Sequence, residues 1–182
     1  MAVGTESDED LYERVRAGDV TSFDRLYARY ERNLFGFVLA VTGSRADAED
    51  VFHEAFMATL RAEGLRFEAG GFRAYLYTCA KNLARKRLKK AARDEVLDDE
   101  PSDPDPRPSA EHVLERRELE GALEDAVRRL SKPLAAVYHL RVAGLSYEEM
   151  ASLLEIPTGT IKSRMSQLVH RLQRELAPWI AP

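Results

Sequence analysis

Apolar residues recur at helical spacing along most of the chain. Over 22–41, Phe23, Leu26, Tyr27, Tyr30, Leu34, Phe37, Val38 and Val41 fall on one side of a helix, and a shorter helix over 8–17 precedes it, closed by Gly18. Gly43 ends the long helix. Ser44, with Asp47 three residues on, has the form of a cap and opens a third helix whose stripe is Val51, Phe52, Ala55, Phe56 and Leu60. The stretch 63–71 holds three glycines and reads as a loop. A fourth helix follows, with Phe72, Leu76, Cys79, Ala80 and Leu83 on one face. No stretch sustains the two-residue alternation of a strand, so the expected class is all-α.

The pattern breaks at DDEPSDPDPRPS, which is rich in acid and proline and has no apolar residue. Such a segment cannot bury enough surface to offset the entropy of ordering it, and it reads as a linker. The expected organisation is a helical domain over 1–93, an acidic flexible linker over 94–110 and a second helical domain over 111–182; no repeat relates the two halves. In the second, Val113, Leu114, Leu119, Leu123 and Val127 mark a helix over 111–129, and Ser131 caps the next, which takes Pro133 in its first turn and ends at Gly144.

LSYEEMASLLEIPTGTIKSRMSQLVHRLQREL carries the most information. Ser146 and Glu149 form a capping box, Tyr147, Met150, Ala151 and Leu154 follow at helical spacing, and Glu155-Ile156-Pro157 breaks the helix. Thr158 is placed to cap a second helix with Ile161, Met165, Leu168 and Leu172 inward. Two helices across a tight turn read as a helix-turn-helix, whose second helix can enter a DNA major groove; the alternative is an ordinary surface helix in a helical hairpin. Its outward face holds Thr160, Ser163, Ser166, Gln167 and His170, side chains able to read base edges, flanked by Lys162, Arg164 and Arg171, which suit phosphates.

Charge alters the picture only when divided by segment. The formal net charge is −4, yet 81–93 holds Lys81, Arg85, Lys86, Arg87, Lys89, Lys90 and Arg93 with no acid, and 94–105 is acidic with no base. A basic block inside an acidic chain indicates a polyanion partner. Within FRAYLYTCAKNLARKRLKK, Tyr75, Lys81, Asn82, Arg85, Lys86 and Lys89 spread over the face that Leu76, Cys79 and Leu83 leave free. Basic groups there can follow a phosphate backbone, and rings can stack on bases that have left a duplex; the alternative is that Tyr75 and Tyr77 complete the core.

Other classes narrow. The chain has one cysteine, Cys79, so it forms no internal disulfide, and no apolar run is long enough to span a bilayer. The N-terminus MAVGTESDED lacks the features of a secretory signal, which points to the cytoplasm. Asp47, Glu49, Asp50 and Glu54, with His53, suggest a metal site at first sight, but neighbouring helix positions diverge in direction. An acidic face for solvent or a partner fits better, and no metal, cofactor or catalytic set is expected.

These motifs, in this order, resemble the extracytoplasmic-function (ECF) group of bacterial RNA polymerase sigma factors. FDRLYARYERNLFGFV looks like the first helix of their promoter-melting domain, DAEDVFHEAFMATLR like their polymerase-docking helix, FRAYLYTCAKNLARKRLKK like the helix that opens the minus-ten element, and the helix-turn-helix like the domain that binds the minus-thirty-five element. The resemblance implies a non-enzymatic subunit, localised in the cytoplasm and on the nucleoid through polymerase, whose partners are core RNA polymerase (clamp helices of the largest subunit, flap of the second-largest), promoter DNA and an anti-sigma protein. It implies minus-ten contacts by Arg73, Tyr75, Tyr77, Lys81, Asn82, Arg85, Lys86 and Lys89. Minus-thirty-five contacts would come from Thr158, Thr160, Lys162, Ser163, Arg164, Ser166, Gln167 and Arg171. Docking would fall to Asp47, Asp50, Val51, Glu54 and Phe56, while the loop over 62–71 would take a flipped base and the acidic linker would thread toward the RNA exit path.

Two departures stand out. Tyr75 occupies a position where many relatives carry tryptophan. Glu155 stands where the turn usually has glycine, so a left-handed backbone there would be strained. An autonomous helix-turn-helix repressor or activator is the alternative; it would normally need a dimerisation element, and no clear coiled-coil seam is present.

Overall fold

The computed structural model describes residues 6–62, 64–68, 70–94 and 114–180. Every regular element among the described residues is a helix: α1 (Asp8–Arg16), α2 (Val20–Thr42), α3 (Arg45–Arg61), α4 (Gly71–Asp94), α5 (Leu114–Arg128), α6 (Lys132–Val142), α7 (Tyr147–Leu154) and α8 (Thr158–Ile180). Apart from Asp94, the expected acidic linker lies outside the described residues.

Local chemistry sets the helix ends. Ser7 and Asp10 form a reciprocal capping box at α1, Asp19 caps α2 through the amides of Thr21 and Ser22, and the Ser44 hydroxyl accepts from the Asp47 amide at α3. Gly43 closes α2 with φ of 76°, a conformation glycine adopts without a Cβ penalty. The expected Ser146–Glu149 box is present at α7. Two caps differ from expectation. The Ser131 hydroxyl makes no capping bond at α6, whose first turn instead contains Pro133. At α8 the Pro157 carbonyl accepts from the amides of Thr160 and Ile161, which places Thr158 inside the first turn rather than capping it.

Helices α1 to α4 bury an aromatic-rich centre: Tyr12, Phe37, Phe56, Phe72 and Tyr77 are all at most 2% exposed. The Phe37 and Tyr77 rings lie 5.5 Å apart, and Tyr12 meets Phe72 at 5.4 Å. This core continues into the C-terminal half, joining Val137, Leu140, Leu145, Met150 and Ile161 to the same cluster. A smaller cluster of Leu130, Leu134 and Leu168, with Val127 and Leu172 against it, belongs to the C-terminal half alone.

The halves meet mainly where α6 lies along α2. Gly36, inside α2, permits that approach: a Cβ at this position would fall 2.2 Å from the His139 ring. A mid-helix glycine costs about 1 kcal/mol relative to alanine, so close packing explains a residue that helix propensity disfavours. Burial, with Arg32 nearby as a lesser cause, pushes the His139 imidazole down to about 4, and its Nδ1 is buried without a hydrogen-bond partner. The folded chain therefore refuses a proton that the unfolded chain accepts. The stabilising contribution is complete above pH 6.5 and is lost as pH falls through about 4. Urea unfolding from pH 7 to 4 is expected to show a shallower loss of stability in His139→Gln than in the wild type; equal slopes would exclude a neutral buried imidazole.

Candidate nucleic-acid interface

The basic helix α4 presents two different faces. Arg73, Tyr77, Lys81 and Arg85 follow one another at i, i+4 spacing and form a ridge turned toward α2 and the C-terminal half. Along it, Arg73 donates to the Ala143 carbonyl at 3.1 Å, the Lys81 ammonium donates to Glu155 at 2.7 Å, and Arg85 donates to both Glu155 oxygens at 2.9 Å. Tyr77 is fully buried between Tyr30 and Phe37, and burial pushes its phenol well above the usual range. Tyr77 therefore belongs to the core and cannot stack on DNA from this position, which corrects the sequence-based expectation.

Tyr75, Asn82, Lys86 and Lys89 form the other stripe, and all four are exposed. Tyr75 leans on Phe67 of the preceding loop, with ring centroids 5.6 Å apart, and keeps 37% of its surface open. An open groove of about 930 Å³ runs beside this stripe, lined by Glu54, Asn82, Leu83, Arg85, Lys86, Arg87, Lys89 and Lys90. Lys90 was absent from the sequence-derived set, although the basic run that contains it was the available signal. Arg87 is instead engaged with α3, 3.6 Å from Asp47 and 3.0 Å from Asp50.

On α3 the carboxylates separate cleanly from the apolar positions. Asp50 and Glu54 are exposed and Asp47 is half-buried, whereas Val51 and Phe56 are 0% and 2% exposed. Val51 and Phe56 thus hold the core, where their helical spacing places them, and are not available for docking, which corrects the assignment that the resemblance implied. Among the described residues no group of three or more His, Cys, Asp or Glu is arranged to hold a metal ion, and no helix is long and apolar enough to cross a membrane.

In the helix-turn-helix, Ile161 and Leu168 anchor α8, which leaves Lys162, Ser163, Ser166, Gln167 and His170 exposed. Thr158, Thr160 and Arg164 are half-buried. Arg171 is occupied by structure, donating to Glu175 at 3.2 Å and to the Arg129 carbonyl at 2.8 Å. The turn itself depends on Glu155, which adopts a left-handed backbone with φ 57° and ψ 43°, alone in this respect among the described non-glycine residues. Its carboxylate is held down at about 2 by hydrogen bonds from Lys81 first and Arg85 second.

A helical body with an exposed basic groove, followed by a helix-turn-helix with a polar outward face, is the arrangement of a two-region promoter-specificity factor. Comparison with known proteins agrees at both regions: residues 26–94 match Sigma-70 region 2, and residues 120–172 match Sigma-70, region 4. The chain belongs to the ECF group of RNA polymerase sigma factors, non-enzymatic subunits that direct polymerase to promoters through these regions. It is 29% identical to the RNA polymerase sigma-H factor of Pseudomonas aeruginosa over 184 residues, covering 95% of each chain. It is 34% identical to the ECF sigma factor BldN of Streptomyces coelicolor, covering 92% of this chain and 65% of BldN. Among solved structures, the sigma factor RpoE bound to the anti-sigma factor NepR from Bartonella quintana aligns with a TM-score of 0.55 at 22% identity, covering 88% of this chain and 98% of that one. CnrH in complex with the cytosolic domain of CnrY aligns at 0.52 and 20%, covering 95% and 99%. These two likenesses concern the fold.

Proposed function

We propose that α4 meets separating minus-ten DNA through Tyr75, Asn82, Lys86 and Lys89, and that α8 reads the minus-thirty-five element through Ser163, Ser166 and Gln167. The exposed groove beside α4 supports this reading, because it sets cations along a channel lined also by the planar amide of Asn82, and the exposed ring of Tyr75 lies on the same stripe of the helix, a combination suited to unpaired strands. The acidic face of α3, with Asp50 and Glu54 outward, docks on core polymerase. Functionally the chain divides at 94–110, and the acidic segment there keeps the two DNA-binding regions on a tether. An anti-sigma protein is a further partner, as NepR is for the Bartonella quintana protein.

Docking and reading are separable by experiment. Glu54→Lys is expected to weaken capture by core polymerase while leaving helicity unchanged. Gln167→Ala is expected to change preference at particular upstream base pairs by about 1–3 kcal/mol, whereas Lys162→Ala should weaken all sequences alike and flatten the salt dependence. The measurements are a polymerase pull-down and in vitro transcription on promoter variants. Equal, sequence-independent losses from Gln167→Ala and Lys162→Ala would overturn the assignment of the α8 faces.

A further inference from the structure

Helix α1 lies before the stretch 26–94 that matches Sigma-70 region 2, and the proposed function gives it no part. Its contacts suggest one. Helix α4 begins at Gly71, directly after Gly70, which has a φ of 79° and no side chain with which to cap a helix. The amide of Phe72, left without an intrahelical partner in that first turn, donates instead to Glu9 Oε1 of α1 at 3.2 Å. The helix dipole favours a carboxylate at this end. Tyr12 lies three residues on from Glu9, and so on the same side of α1. It is 2% exposed, and its hydroxyl donates at 3.4 Å to the carbonyl of Ala62, where α3 ends.

Alpha-helix α1 thus touches the connection between α3 and α4 at both ends, and it reaches the middle as well. The Phe67 ring packs edge-on against Tyr12, with centroids 5.1 Å apart, and edge-on against Phe72 at 5.7 Å. The same ring meets Tyr75 at 5.6 Å. Tyr75, the exposed ring of the proposed interface, therefore rests on a residue that α1 holds. Helix α1 is itself fixed to α2, because Asp8 accepts from Arg29 at 2.6 Å and from the Tyr30 hydroxyl. Glu9 and Tyr12 are carried on an anchored element.

We propose that Glu9 and Tyr12 are positioning residues for promoter opening: they pin the two ends of the connection between α3 and α4, and through Phe67 they fix where the Tyr75 ring stands to receive an unpaired base. The inference rests on the reading of Tyr75 as a stacking residue. Neither Glu9 nor Tyr12 needs to touch DNA. Their effect is to order the ring before a base arrives, which removes the ordering cost that a loose side chain would meet on binding.

The test uses the full chain with core polymerase on a duplex promoter, and reads opening by the permanganate reactivity of promoter thymines. Glu9→Ala is expected to lower opening about threefold or more, within the span of a lost helix cap, with the polymerase pull-down unchanged. Tyr12→Phe keeps the ring, removes only the hydroxyl and should lower opening about twofold or more. Glu9→Gln retains an acceptor for the Phe72 amide and should keep most of the opening. Asp19→Ala removes a cap of the same kind from α2 and should leave opening unchanged, which separates positioning from general loss of stability. Adding Glu9→Ala to Tyr75→Ala should lower opening by less than about twofold further, because residues that act through one ring are not additive. Without DNA, hydrogen exchange at the Phe72 amide should be about threefold faster or more in Glu9→Ala and unchanged in Asp19→Ala. Normal opening in Tyr75→Ala would reject the reading of α4 and the inference together. Impaired opening in Tyr75→Ala with normal opening in Glu9→Ala and Tyr12→Phe would overturn the positioning role alone. A fully additive loss in the double variant, or an equal loss in Asp19→Ala, would overturn it too.

Discussion

Tyr77→Ala is expected to lower the unfolding free energy by about 3–5 kcal/mol, the range for deleting a buried aromatic ring. The side chain is fully buried, with Phe37 at 5.5 Å and Tyr30 at 6.3 Å, so its removal leaves a cavity where α2 and α4 pack. A chain of this size has only about 5–15 kcal/mol in hand, and so the loss takes much of its stability. Urea unfolding followed by circular dichroism measures it. Polymerase binding and promoter opening should fall together, in proportion to the fraction unfolded. A loss below about 1 kcal/mol, with promoter opening selectively impaired, would return Tyr77 to the DNA face.

Two residues earlier in the same helix the expected result is of another kind. Tyr75→Ala should change stability by no more than about 1.5 kcal/mol, the worth of its ring contact with Phe67. It should raise the free energy of promoter opening by about 1–3 kcal/mol, because stacking on an unpaired base contributes only after the base has left the duplex. Permanganate reactivity of promoter thymines is expected to drop while the polymerase pull-down is unchanged, and a template with a pre-opened bubble should restore much of the loss. If Tyr75→Ala abolished the pull-down with normal helicity, the outer stripe of α4 would be a docking surface and the proposed division of labour would fail.

The contrast between these tyrosines shows where sequence reading ends. Spacing placed both on α4 and left open whether either completes the core. It placed Phe72, Leu76 and Ala80 in the buried stripe, where all three are fully buried, and Cys79 and Leu83 beside them, where both are partly buried, but it did not mark Tyr77 and Ala84, which are fully buried as well. The reason is geometric: α4 packs against α3 on one side and against α2 and the helix-turn-helix on another, so its buried sector is wider than a single amphipathic stripe and includes a lysine. Val51 and Phe56 on α3 show the converse. Their apolar character correctly marked a buried face, while the resemblance assigned them to a surface.

Much else was decided locally. The boxes at Ser7–Asp10 and Ser146–Glu149, the Asp19 and Ser44 caps and the left-handed Gly43 join residues at most four apart, so chain chemistry alone determines them. The helix-turn-helix follows for the same reason, since its capping box, its apolar spacing and its Glu155-Ile156-Pro157 break are all short-range. Even the strain at Glu155 could be anticipated, though only through the resemblance, which marks that turn position as one that usually holds glycine. The partner of Glu155 could not, because Lys81 and Arg85 lie some seventy residues away and nothing in local periodicity couples them. Charge in the sequence therefore established that α4 is basic, and the packing of α6 and α7 against α2 and α4 decided which of its cations are free: Lys86 and Lys89 remain in solvent, whereas Arg73, Lys81 and Arg85 are engaged. A helix carries its charges wherever it goes; which of them face solvent is set by the long-range contacts that only the folded chain brings together.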